Sequence, residues 1–132
     1  MKRLIVFLVA LAFVAVALPM YAQTKVGSPA VEFYNSYRAA WATAKSFQDI
    51  LPFHSKESKA QLAKVPADQQ KMMFQMAKEM DPKDIKVTGE KATPTGAMLE
   101  LTGTADGKAV KGTAELVKEG GAFKMVKENW QL

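Results

Sequence analysis

The chain predicts an α+β fold in which N-terminal helices pack on a four-stranded antiparallel sheet. Two observations carry this. Apolar residues recur at spacings of three and four as far as Met80, then at a spacing of two beyond Asp81-Pro82. In that second half the turn dipeptides Asp106-Gly107 and Gly120-Gly121 fall at hairpin distances.

Ahead of the domain, Lys2 and Arg3 precede an unbroken apolar run from Leu4 to Leu18, closed by Pro19-Met20-Tyr21-Ala22. This layout predicts a secretory leader over residues 1–22, cut near Ala22, and a single exported domain, periplasmic or secreted, over 23–132. An uncleaved anchor would need about 18 to 20 apolar residues, and this run is shorter and ends at a proline. Met20 is larger than the small residue favoured three positions before a cut. With or without cleavage the domain lies outside the cytoplasm, and once cut it keeps no stable membrane span.

Ser28 followed by Pro29 is a helix start, a capping hydroxyl and then proline at the first helical position. Ala30, Tyr34, Tyr37, Trp41 and Ala44 make one apolar stripe on that helix. A short helical turn follows over Ser46 to Leu51, ended by Pro52. Ser55 caps a third segment to about Lys64, and a fourth runs from near Pro66 to Met80, where Asp81-Pro82 stops it.

In the second half Ile85 and Val87 alternate with lysine and threonine, and Pro94-Thr95-Gly96 makes a turn. If Asp106-Gly107 forms a two-residue loop, Ala97 faces Leu116, Leu99 faces Ala114, Leu101 faces Gly112 and Gly103 faces Val110. Large meets small on that face, and Glu100, Thr102, Lys111, Thr113 and Glu115 gather on the other, as expected when one face is buried. A similar loop at Gly120-Gly121 sets Met125 against Leu116 but would turn Lys127 inward and Trp130 outward. A bulge near Val126 and Lys127 restores the alternation, and it is preferred over an unpaired buried ammonium.

The absence of cysteine removes disulfides, thiolate nucleophiles, cysteine-based zinc sites and a lipid-modified cysteine. The net charge of +5 includes Lys2 and Arg3, which leaves +3 for the domain, spread over helix faces without interleaved aromatics. Nucleic acid is therefore not an expected partner. Phosphate loops, Gly-x-Ser-x-Gly and His-Glu-x-x-His are missing from the sequence, so nucleotide-binding, serine-hydrolase and zinc-protease readings lapse.

The leader, the aromatic first helix, the Ser46-Phe47-Gln48-Asp49-Ile50-Leu51-Pro52-Phe53 segment and a meander ending Gly120-Gly121-Ala122-Phe123-Lys124-Met125-Val126 with Trp130 resemble small secreted members of the nuclear transport factor 2-like (SnoaL-like) superfamily. The resemblance implies a curved, cone-like sheet wrapped on the helices, often with an apolar pocket at its open end. That superfamily holds isomerases, dehydratases and epoxide hydrolases as well as non-catalytic binding domains. Its enzymes carry acids, histidines or tyrosines inside the cone, whereas the core face expected here is leucine, alanine, glycine, valine, methionine and phenylalanine.

Tyr34, Tyr37, Trp41, Phe53 and Phe123 are the candidate lining of a ligand pocket, with ordinary core packing as the competing role. His54, the only histidine, is either the residue that leads into a helix cap or a general base, the second needing an orienting acid such as Asp49. Met73, Met76 and Met80, with Met72 beside them, read as a core stripe; thioethers at the same spacing could also hold Cu(I). Glu100 and Glu115 read as a solvated cross-strand network rather than a hydrolytic pair. The expectation is a non-catalytic exported domain, without a cofactor, that binds a small apolar ligand or an envelope protein, or pairs with a second copy. The alternative is a small isomerase, dehydratase or hydrolase using His54, Asp49, Tyr34 or Tyr37 on a hydrophobic substrate.

Overall fold

In the computed structural model, which describes residues 27–132, Ser28 opens helix α1 (Pro29–Thr43) by accepting the Val31 N–H at 3.2 Å. The expected leader over 1–22 lies outside the described residues. Ala30, Val31, Tyr34, Tyr37 and Trp41 of α1 are buried, so the predicted stripe is the face that enters the core. The next turn is a 3-10 helix, η1 (Phe47–Phe53), which runs through Pro52 because its missing N–H is no obstacle in so short an element.

Ser55 caps α2 (Lys56–Ala63) by accepting the Ser58 N–H at 3.1 Å. Gln70 of α3 (Ala67–Glu79) donates to the Leu62 and Val65 carbonyls, each at 2.9 Å, and closes the corner between the two helices. The methionine core stripe does not form. Phe74 is the residue of α3 that is buried, wedged edge-on against Trp41 and Phe47 with ring centroids 5.3 and 5.2 Å away. Met72, Met73, Met76 and Met80 face solvent instead.

Four strands, β1 (Lys83–Ala92), β2 (Gly96–Ala105), β3 (Lys108–Glu119) and β4 (Ala122–Gln131), form one open antiparallel meander in chain order. The fold is α+β. The β2–β3 pairing is the one expected: Ala97 faces Leu116, Leu99 faces Ala114, Leu101 faces Gly112 and Gly103 faces Val110. Asp106 and Gly107 both take positive φ, 51° and 75°, as do Gly120 and Gly121. Two successive left-handed residues are the hairpin turn whose twist matches the strands it joins.

The bulge is also present. Leu116 faces Met125 and the preceding residue of β3, Glu115, faces Lys127, so Val126 is the extra residue. Past it the alternation is reset. Lys127 points outward, its side chain 61% exposed and 3.8 Å from Glu115, while Glu128 and Trp130 turn toward the core side. Trp130 lies across Gly112, where a Cβ would stand 2.6 Å from its Cε3. The helices meet this side of the sheet through Ala30, Tyr34, Tyr37, Trp41, Ile50 and Phe74 against Leu99, Leu101, Leu116 and Met125. Among the described residues no helix is long and apolar enough to cross a membrane.

Candidate functional site

The bulge that resets β4 also anchors the helices beside it. Ser55 donates its backbone N–H to the Met125 carbonyl at 2.9 Å, and Ser58 Oγ donates to the Val126 carbonyl at 2.7 Å. These bonds fix the start of α2 against the edge strand β4. Between η1, α2, α3 and the β4 bulge lies a cavity of about 410 Å³ walled by Phe47, Leu51, Leu62, Val65, Met73 and Val126, with the exposed Glu57, Gln61 and Lys127 also lining it.

A second cavity of about 400 Å³ lies under α1, between η1, the end of α3 and β4. Tyr37, Trp41, Ile50, Met125 and Trp130 line it, with Asp81 and Glu128 as its acids. Phe47 and His54 belong to the walls of both cavities. Each volume falls in the range of about 300 to 1,000 Å³ that suits a small-molecule ligand.

His54 follows η1, donating its backbone N–H to the Leu51 carbonyl at 3.0 Å, and its ring meets Tyr37 edge-on at 5.8 Å. Burial, and then the ammonium of Lys59, lower its proton affinity and favour the neutral imidazole. Asp49 does not orient it. Its Oδ2 accepts the Lys45 backbone N–H at 2.8 Å and ties off the bend after α1.

The five aromatic candidates divide. Tyr37 and Trp41 line the second cavity. Tyr34 is buried and points to Glu128, while Phe53 and Phe123 pack on Phe33 with centroids 6.1 and 6.5 Å away, outside both cavity walls. Glu100 and Glu115 stand on the outer face, opposite Thr113 and Met98. The methionines split as well, Met73 bordering the first cavity and Met80 the second.

Sequence reasoning did not find the ion cluster at the edge of the second cavity. Tyr34 Oη donates to Glu128 Oε2 at 2.5 Å, and Arg38 reaches Glu128 Oε1 at 3.2 Å and Asp81 Oδ2 at 2.7 Å. Arg38 follows Tyr34 by four residues and so shares its helix face, a signal open to sequence reading. Glu128 shares the face of Trp130 once the expected bulge resets the alternation, so its inward turn was also open to sequence reading. Burial, followed by the nearby Glu128, raises the pKa of both tyrosines. For Arg38, burial opposes the charge, but the hydrogen bond to Asp81 and the fields of both acids outweigh it and raise the pKa.

The cluster is one guanidinium shared by two carboxylates, and those contacts commit Glu128 and Asp81 to structure. His54 has an imidazole without a carboxylate to orient it, which is half of an acid-base device. The indole N–H groups of Trp41 and Trp130 are buried with no acceptor, each at a cost of about 1–3 kcal/mol. Among the described residues no group of three or more histidines and acids is arranged to hold a metal ion. Compared with protein-family models, curated proteins and solved structures, the chain matches none.

Proposed function

We propose that the chain is an exported, non-catalytic domain that binds a small apolar ligand in the cavity between η1, α2, α3 and the β4 bulge. The carrying observation is the wall itself: Phe47, Leu51, Leu62, Val65, Met73 and Val126 surround about 410 Å³ that opens to solvent past a polar rim. Such a cavity recognises size and apolar surface more than functional groups. Glu57 is the one acid of this lining, set at the rim, and no hydrogen bond or ion pair joins it to His54 among the described residues, which supports binding over turnover. Helices followed by a four-stranded meander also suit the nuclear transport factor 2-like resemblance, which we keep as part of this proposal.

Titration with an apolar fluorescent probe such as N-phenylnaphthylamine tests the reading. The full chain is expected to bind it saturably. Leu62→Trp, which fills the half-buried wall from α2, should weaken binding by more than about tenfold while the circular dichroism stays unchanged. Equal binding by the filled variant, or no saturable binding by either chain, would remove the cavity from consideration.

A second reading, a small hydrolase or isomerase, rests on the neutral imidazole of His54 in both cavity walls beside Tyr37. His54→Gln separates the two. Retained probe binding together with loss of a turnover detected in the parent chain would favour the enzyme.

A further inference from the structure

We propose that Met73, Met76 and Met80 form a binding site for a soft monovalent metal ion, Cu(I), on the outer side of α3. Their spacing alone is ambiguous, because a stripe at intervals of three and four fits a core equally well. The structure removes the core role. Phe74 and Ala77 occupy the inward side of the helix, and Met73, Met76 and Met80 are 45%, 57% and 55% exposed. Among the described residues the other exposed large apolar side chains are Met72, next to this group, and Leu132.

Geometry favours convergence. The Met80 N–H donates to the Met76 carbonyl at 2.9 Å, so Met80 keeps the helical position although it caps α3. Side chains three and four residues apart on a helix have Cβ atoms about 5–6 Å apart, and methionine has three rotatable bonds with which to bring sulfur inward. The helix is held in one orientation by Phe74 between Trp41 and Phe47. All three ligands therefore rise from one rigid element, which limits the rearrangement needed on binding.

Ligand chemistry then selects the ion. Thioethers are soft and uncharged, which suits Cu(I) and its redox-inert analogue Ag(I) and disfavours hard or carboxylate-seeking cations. With no cysteine anywhere in the chain, no thiolate competes for the ion. Thioether sulfur takes up no proton in ordinary buffers, so binding here is independent of pH, unlike binding through histidine or carboxylate.

The test is an Ag(I) titration of the full chain carrying 13C-methyl methionine, in chloride-free buffer, followed by Cu(I) in competition with bicinchoninate. The methyl signals of Met73, Met76 and Met80 should move together and saturate at one equivalent, with those of Met98 and Met125 in the sheet unmoved. The triple variant Met73→Leu, Met76→Leu, Met80→Leu should keep its circular dichroism and lose affinity by more than about tenfold; should it misfold, the single Met76→Leu gives the same reading. Affinity should be equal at about pH 7 and about pH 5.

Unmoved methyl signals, as an interface serving only a protein partner would give, overturn the proposal. So does undiminished affinity in the leucine variant. A steep loss of affinity on acidification would place the ion on His54 or a carboxylate and overturn it too. The site shares Met73 with the wall of the apolar cavity but needs no ligand there, so failure of the fluorescent probe to bind leaves it standing.

Discussion

Glu128 concentrates the polar chemistry of the core side. Its two oxygens accept from Tyr34 and Arg38, and its side chain is only 13% exposed. In Glu128→Gln one of those oxygens becomes an NH2 group, which can only donate, so an acceptor for Tyr34 or Arg38 is lost and so is the negative charge beside the guanidinium. A hydrogen bond to a charged group contributes about 1.5–3 kcal/mol, so we expect a loss of about 2 kcal/mol, read from the urea midpoint at unchanged slope. An unaltered midpoint would mean that water satisfies Arg38 and Tyr34 equally well. His54 acts through pH. Burial and Lys59 lower its folded-state pKa below the ordinary 6.5, so the unfolded chain binds the proton more tightly. Its contribution is complete above about pH 6.5 and is lost as the pH falls through the lower folded value. Urea midpoints at about pH 7.5 and about pH 5 should separate further in the parent chain than in His54→Gln, and equal separations would refute the assignment.

At the scale of an element, α3 carries two apolar stripes, and only docking decides between them. Phe74 and Ala77 form one, Met73, Met76 and Met80 the other. Periodicity could not choose, because the choice depends on Trp41 and Phe47 offering aromatic faces to a ring rather than to a thioether. Phe74→Ala should cost about 3 kcal/mol or more, whereas Met76→Ala should stay within about 0.5 kcal/mol. Comparable losses in chemical denaturation would return the methionines to the core. The β2–β3 hairpin was the opposite case and fully legible. Asp106-Gly107 prescribes its turn, and large residues facing small ones prescribe its register. In β4 the bulge followed from the cost of burying Lys127, and with it the inward turn of Glu128, but not that Arg38 and Tyr34 would be its partners.

Across the whole molecule, element order and the α+β class were readable because each rests on local signals: caps, turn dipeptides and a change of period at Asp81-Pro82. The cavities were not. Their walls come from α1, η1, α2, α3 and β4, elements brought together only by tertiary packing. Tyr37 and Trp41 were found through their helix face, while Leu51, Leu62 and Val65 carried no signal beyond being apolar. The Tyr34–Glu128 bond has a consequence of another kind. It joins partners 94 positions apart, the first in the first described helix and the second in the last described strand. A ribosome releases the helix long before its counterpart exists. Until that strand emerges, Tyr34 and Arg38 of α1 lack the carboxylate they share. The ion cluster is therefore among the last contacts the nascent polypeptide can make.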